Sequence, residues 1–391
     1  MRPATLRMNL RVFTAFLVVG LGMLVVASYL VLGVGQARLR DAWGLHLRQV
    51  ADQTAASVDA YVYRRIIDAT VLARIPQVRD AAAADSRQAF DRNAALVYDR
   101  DWQQAGAPPP TVRAILGNKT SGFLADVAAI NPIYRELLLT DRYGRLVAAS
   151  GTTSNYLQSD EPWWREGFGD GVRGHLVVGD ARYDDSSRSW GIEIVAPVED
   201  PAGGSVVGVL KAVADIREVG ALLGGVRMGQ TGDAVLLHED GSFVLGLRPI
   251  AANARFFAAD MLRERLAAIQ QGQPQGPLHF GATAADGSAR LVGVAASQLK
   301  ASYPHLNWLV AVSQADEELF APVRAEATSL LVVLGLTALA VVLFALWYSV
   351  RLAAPTESAE MDMHLVRHPH VHRMEEPEEA EAEEEPVKET V

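Results

Sequence analysis

The chain has 391 residues, half of them apolar, which is enough for one large or two modest domains. It contains no cysteine, and this excludes disulfide frameworks, thiolate zinc sites and cysteine nucleophiles. The net charge of −10 sits almost wholly in the tail, where twelve Asp/Glu against three basic residues over 355–391 give −9; the remaining −1 leaves no basic face for nucleic acid.

Two stretches carry no charge, 12–37 and 327–350. Each exceeds the roughly 20 residues a helix needs to cross a bilayer. A cleaved signal peptide is the alternative for the first, since Gly35-Gln36-Ala37 has the look of a cleavage site. Its apolar run is longer than a typical signal core, which favours a retained anchor. Arg2, Arg7 and Arg11 precede it without an acidic neighbour, so the N-terminus is expected in the cytoplasm. The expected order is therefore a cytoplasmic 1–11, a span at 12–37, an outer region at 38–326, a second span at 327–350 and a cytoplasmic 351–391. Arg351, directly after the second span, agrees.

From Leu39 to Ala73 apolar residues recur at three- and four-residue steps (Leu39, Trp43, Leu47, Val50, Val58, Tyr61, Ala69, Leu72), with Arg65 breaking the stripe. This predicts one long amphipathic helix ended by Pro76. An alanine-rich helical stretch over 78–99 follows, then the break "AGAPPP".

Beyond Pro132 the period changes to two. Residues 136–140, a turn at "DRYG" and 145–149 read as a hairpin, 189–198 as an alternating strand, and "SVVGVLKAVADI" as a buried strand ending at Asp215. The same order returns about a hundred residues later: a hairpin in "GQTGDAVLLHEDGSFVLG", a strand in "RLVGVAASQL", and "NWLVAVSQADEEL" as the closing strand. Two repeats of this length predict an internally duplicated α+β unit with antiparallel sheets, at about 132–223 and 226–314, rather than a solenoid.

No nucleophile elbow, P-loop or zinc-protease motif occurs, so nothing supports an enzyme or a cofactor. His175, His238, His279 and His305 stand singly and are read as structural, and Asn118-Lys119-Thr120 as a chance glycosylation match. In the tail His364, His368 and His372 share one helical face, with His370 nearby. Pro369 disfavours a regular helix there, and no metal site is assigned. The segment "MEEPEEAEAEEEPVKETV" reads as solvated and disordered.

A membrane-continuous helix, two tandem PAS-like sheets and a second span together resemble the double Cache (dCache) sensor domain of bacterial transmembrane receptors. The matching pieces are "LLLTDRYGRLVAAS", "YLQSDEPWWREGF", "RYDDSSRSWGIEIVAPVEDPAGGSVVGVLKAVADI", "GQTGDAVLLHEDGSFV" and "LNWLVAVSQADEELFAPV". The resemblance implies a two-pass protein of the bacterial inner membrane, with a small-molecule ligand in the distal module and a helix displacement passed across the membrane. It also implies a homodimer with the 39–72 helices near its axis. "VRLAAPTESAE" looks like the start of a HAMP linker, and the short, acidic segment after it is not expected to form an output domain. Signalling is thus expected through a separate partner or the acidic tail.

By the same resemblance Trp163 and Trp164 line the distal pocket, Tyr183 and Asp185 match a Tyr-x-Asp pair, and Asp215 matches an acid at the end of the last strand. Such acids hold the ligand ammonium in amino-acid sensors. Each has a plainer reading: both tryptophans as core, Asp185 as a turn residue, Asp215 as a cap before "IREV". Glu161 departs from the family, because amino-acid sensors carry an arginine there for the ligand carboxylate. Aromatic faces with Glu161, Asp185 and Asp215 suit a cation, a polyamine or a quaternary amine. The alternative function is a membrane-anchored scaffold whose Cache modules hold no ligand.

Overall fold

The computed structural model describes residues 10–103, 110–246, 279–284 and 287–353. The tail histidines and the acidic segment lie outside the described residues. The chain divides into two compact units, one from residues 1–30 with 329–391 and the other from 31–328.

In the first unit α1 (Leu10–Tyr29) and the apolar part of a C-terminal helix (Ala321–Ala353) are both long and apolar enough to cross a membrane. Of the two candidate spans, Leu10–Tyr29 is 0% and Leu331–Arg351 only 6% buried, so neither behaves as the core helix of a globular domain. Phe16 meets Phe344 and Tyr348 edge-on, at 5.9 and 5.3 Å.

The second unit is organised on α2 (Gly35–Arg74), which follows a π-helical turn at Leu30–Val34. Leu47, Ala51, Thr54, Val58, Tyr61, Ile66, Ala69 and Leu72 are buried along it, close to the stripe the sequence predicts. Arg65 is accommodated by lying 5.3 Å above the Tyr61 ring and pairing with Asp68. The helix stops one residue earlier than Pro76: Ile75 is extended, and Pro76 opens α3 (Pro76–Ser86) at its first position. The alanine-rich stretch is two helices, not one. Asp91 accepts the backbone N–H groups of Asn93 and Ala94 and so starts α4 (Arg92–Gln103) afresh. After α5 (Pro110–Leu116), Asn118 caps α6 (Lys119–Ile130) by accepting from Ser121 N–H, while its amide donates to the Val147 carbonyl. Its match to a glycosylation motif thus falls on a structural cap.

The first sheet contains β1 (Tyr134–Asp141), β2 (Leu146–Ala149), β3 (Val177–Val178), β4 (Arg182–Asp184), β5 (Ser189–Glu199) and β6 (Val206–Asp215). Its order is β2-β1-β6-β5-β3, with β4 also on β5, and every pair is antiparallel. After the short α8 (Arg217–Gly225) comes a second sheet of β7 (Asp233–His238), β8 (Phe243–Gly246), β9 (His279–Thr283), β10 (Ala289–Ala296) and β11 (Trp308–Ala315). Its order, β8-β7-β11-β10-β9, is again antiparallel. In both sheets the opening hairpin pairs with the closing strand, which pairs with the strand before it. This is the duplication the sequence predicts, as two separate sheets. The chain then runs through α9 (Asp316–Leu319) into α10 (Ala321–Ala353).

Both sheets lay one apolar face on α2. Leu137, Leu139, Ile192, Ile194, Leu210 and Ala212 from the first share a cluster with Leu291, Val310 and Val312 from the second. The second sheet approaches α2 so closely that a Cβ on Gly293 would lie 2.3 Å from Arg48 N, and one on Gly44 would strike the His279 ring. Glycine at 293 lets sheet and helix touch backbone to backbone, and glycine at 44 makes room for the His279 ring against the helix. The other face of the first sheet carries polar groups, and there the site lies.

Candidate ligand-binding cavity

α7 (Pro162–Phe168) crosses that other face. Pro162 occupies its first position as expected, but Glu161 caps it only by backbone: its side chain makes no capping bond. The two tryptophans are both buried yet point differently. Trp164 enters the core, donates its Nε1–H to Thr140 Oγ1 at 2.9 Å and stacks on Phe168 at 4.7 Å. Trp163 borders a cavity of about 340 Å³, which Glu161, Tyr183 and Asp185 also line. Neighbouring residues on a helix diverge by about 100°, which is why one indole serves the core and the other the cavity.

Asp215 is not among the cavity's residues. Arg135 and Arg217 draw its carboxylate away at 2.7 Å each, and it accepts the Arg217 backbone N–H at the start of α8. Its carbonyl accepts the Tyr61 hydroxyl at 2.5 Å. Asp215 thus holds the first N–H of α8 from one residue before its N-cap, Ile216, whose side chain makes no capping bond.

The cavity also holds charges that sequence reasoning did not select: Glu136, Arg182, Asp184, Glu193 and Lys211. Glu136, Asp184, Glu193 and Lys211 are each more than nine-tenths buried. Strand register brings them together. Lys211 on central β6 faces Leu138 of β1 and Val195 of β5, while Glu136 and Glu193 both pair with Val213, two residues further on. With side chains alternating along each strand, the two glutamates become diagonal neighbours of the lysine on one face. Its ammonium lies 3.4 Å from Glu136 Oε2, 3.4 Å from Asp184 Oδ1 and 3.2 Å from Glu193 Oε1, and 5.3 Å from the Trp163 ring centroid. Arg182 closes the group by binding the other Glu193 oxygen, and Ser186 donates to Glu136.

Burial pushes the Glu136 carboxyl above its ordinary range, only partly offset by Lys211 and Ser186. Burial acts the same way on Asp184, but Lys211 and the Ser187 N–H outweigh it and the net shift is downward. For Lys211 burial alone would lower the ammonium, yet the three carboxylates raise it. The lysine is therefore charged at neutral pH. Five carboxylates (Glu136, Glu161, Asp184, Asp185, Glu193) face two cations (Lys211, Arg182), a formal −3.

Residues beside the cavity, though not lining it, reach the second module. Asp180, two residues before Arg182, accepts the buried Trp308 Nε1–H at 2.8 Å and lies 3.3 Å from His238 Nε2. Glu166 on α7 lies 3.5 Å from His305. A larger recess of about 670 Å³ lies elsewhere, beside Arg40, Asp316 and Phe320. There Arg40 pairs with Asp316 and Arg324 binds the Glu317 carbonyl, so its two arginines already have partners.

Two tandem α+β modules on one long helix, the first with a polar, aromatic-walled cavity, define a ligand-sensing domain of the PAS-like kind. The chain belongs to the Cache-domain family: the dCache_1 family model matches residues 36–323, most of its length. This is a family of sensor domains, not of enzymes. Among solved structures, the chain is similar to the ligand-binding domain of the Pseudomonas aeruginosa amino-acid chemoreceptor PctB in complex with L-Arg, at 16% identity and TM-score 0.41, covering 71% of this chain and 96% of that one. It is similar to the Pseudomonas fluorescens chemoreceptor CtaA domain with L-serine, at 17% identity and TM-score 0.41, covering 71% and 99%. For the Campylobacter jejuni chemoreceptor Tlp3 domain with 4-methylisoleucine the figures are 10%, 0.45, 72% and 94%. No curated protein matches the chain in sequence.

Proposed function

We propose that this chain is a two-pass membrane receptor whose first module binds a small ligand carrying an ammonium group. The observation that supports this is the charge of the cavity: carboxylates outnumber cations by five to two, and both cations already have carboxylate partners. A ligand carboxylate would meet Glu161 and Asp185 with no free cation to hold it, at a cost in desolvation. An ammonium would meet those same acids beside the faces of Trp163 and Tyr183, where each cation–π contact contributes about 0.5–2 kcal/mol. The volume of about 340 Å³ suits a small molecule. The site residues in this reading are Glu161, Trp163, Tyr183 and Asp185, with Trp164 and Asp215 fixing the frame.

Signalling follows from the contacts beside the cavity. Movement of β4 or α7 on ligand entry acts on Asp180 and Glu166, and through them on Trp308, His238 and His305 of the second module. The two apolar helices are read as spans with the sensor unit outside the inner membrane and both ends of the chain in the cytoplasm. Tyr63, Ile67 and Val71 stay exposed along one face of α2 and are read as the homodimer contact. A cytoplasmic or membrane partner completes the pathway.

The test is a thermal-shift and calorimetric titration of the full-length protein in detergent micelles with putrescine, choline, L-arginine and succinate. A ligand at a hundred times its dissociation constant adds about 2.7 kcal/mol. Stabilisation by the amines, weakened by Glu161→Arg, is the expected result. Tight binding of succinate would overturn the charge argument, and silence toward every probe would favour the ligand-free scaffold.

A further inference from the structure

The acidic excess lies mainly toward the mouth; the inner end of the cavity already holds a cation of its own. Lys211 is the one charged residue in β6 before its terminal Asp215, on a strand whose every residue is buried. Its three N–H donors face three carboxylate oxygens, those of Glu136, Asp184 and Glu193, below the ring of Trp163. That constellation is what recognition of a free primary ammonium requires. The fit, however, is loose. The lysine ammonium stands 3.4, 3.4 and 3.2 Å from the three oxygens, beyond the about 2.7–2.9 Å of a close charge-assisted hydrogen bond. A side chain anchored at Cα on the sheet cannot centre its ammonium as a free ion can.

We propose that the cage of Glu136, Asp184 and Glu193 is an inner ammonium site whose resident is Lys211, so that removing the lysine side chain opens it to a small primary ammonium ion. The tethered cation closes this inner end in the wild-type protein and confines the positive group of any ligand to the outer end, beside Glu161 and Asp185. Lys211 thereby acts as a specificity-determining residue. Ions without N–H donors do not enter the inner site, because the two buried glutamate oxygens need donors and not merely charge. The inference rests on reading the cavity as a cation site, but it is tested separately from the outer ligand.

Lys211→Ala removes the atoms from Cγ to Nζ, which n-propylammonium replaces. The full-length protein and this variant, in detergent micelles, are titrated with n-propylammonium, tetramethylammonium and propionate at constant ionic strength, with melting temperature as the readout. The expected result is saturable stabilisation of Lys211→Ala by n-propylammonium, with at least tenfold higher affinity than wild type, while the response to tetramethylammonium is the same in variant and wild type and propionate gives none. A folded variant that binds n-propylammonium no better than wild type, or that gains as much affinity for tetramethylammonium as for n-propylammonium, overturns the proposal. Lys211→Met keeps the packing and removes only the charge, and it decides the matter should the alanine variant not fold. It should gain no n-propylammonium site, and its melting temperature should fall more steeply than that of wild type from pH 5 to pH 8, as cage carboxyls lose their protons without a counter-ion. A pH profile parallel to wild type would equally overturn the proposal. If Lys211→Ala gains its site while wild type binds no amine, the inner cage stands and the outer-ligand reading falls. If wild type binds amines and Lys211→Ala gains nothing, the reverse holds.

Discussion

The two adjacent tryptophans are expected to separate into one that holds the fold and one that holds the ligand. Trp164→Ala removes a buried indole from the cluster with Leu138, Val195 and Val209, together with its stack on Phe168. Truncations of this kind cost about 3–5 kcal/mol where the surroundings cannot collapse. Little of this comes from the lost hydrogen bond, because Thr140 Oγ1 keeps both its donation to the Val209 carbonyl and its acceptance from Val209 N–H. Trp163→Ala is different: its ring already borders open volume, so the void joins an existing cavity, while Lys211 and any ligand cation lose an aromatic face. Losing one such contact weakens binding by about 1 kcal/mol, or roughly fivefold. Urea denaturation of both variants at constant m-value, with putrescine titrations of each, measures the contrast. Trp164→Ala should lower stability by at least about 3 kcal/mol and leave affinity within about twofold. Equal losses of affinity in the two variants, or a cost for Trp164→Ala below about 1 kcal/mol, would refute the division of roles.

Asp215→Asn should lower stability, since it breaks the bridge to Arg135 and Arg217, and leave putrescine affinity unchanged; an affinity loss above fivefold would return Asp215 to the site. Glu318 accepts the Thr231 hydroxyl and the backbone N–H groups of Gln230 and Thr231, which hold its carboxyl down at about 2. A depressed folded-state value gives stability that is present above the ordinary 4.5 and lost as pH falls toward 2. Glu318→Gln should therefore flatten that part of the melting-temperature profile. Asp180→Ala frees the Trp308 Nε1–H and parts His238 from its acid, and amide exchange at the start of β11 should quicken without change at β1. Ile67→Asp places a charge in the exposed stripe of α2 and should shift sedimentation in detergent from dimer to monomer; an unchanged mass would relocate the contact.

What the sequence determined by itself was everything written in local period. The stripe over 39–73, the change to alternation after Pro132 and the repeat a hundred residues on are each a consequence of which side of a helix or strand must leave water. They hold in α2, in the two hairpins and in the matching sheet orders. The break between α3 and α4 was hidden because alanine is an equally good helix former on both sides of Asp91, whose cap is a matter of a few tenths to about 2 kcal/mol. At the site, Glu161, Trp163, Tyr183 and Asp185 were legible through the family pattern and do share one cavity. The choice between Trp163 and Trp164, and the turning of Asp215 toward Arg135, were decided only in three dimensions. The same is true of the buried cage. Glu136 in "YRELLLTD", Glu193 in "SWGIEIVAPVE" and Lys211 in "VVGVLKAVAD" each stand as a charge among apolar residues, a signal of burial with a partner. No local pattern names that partner, because a strand's period fixes which face a side chain takes, whereas its neighbour across the sheet is fixed by the pairing of β1 and β5 with β6, strands separated in sequence by whole helices and loops.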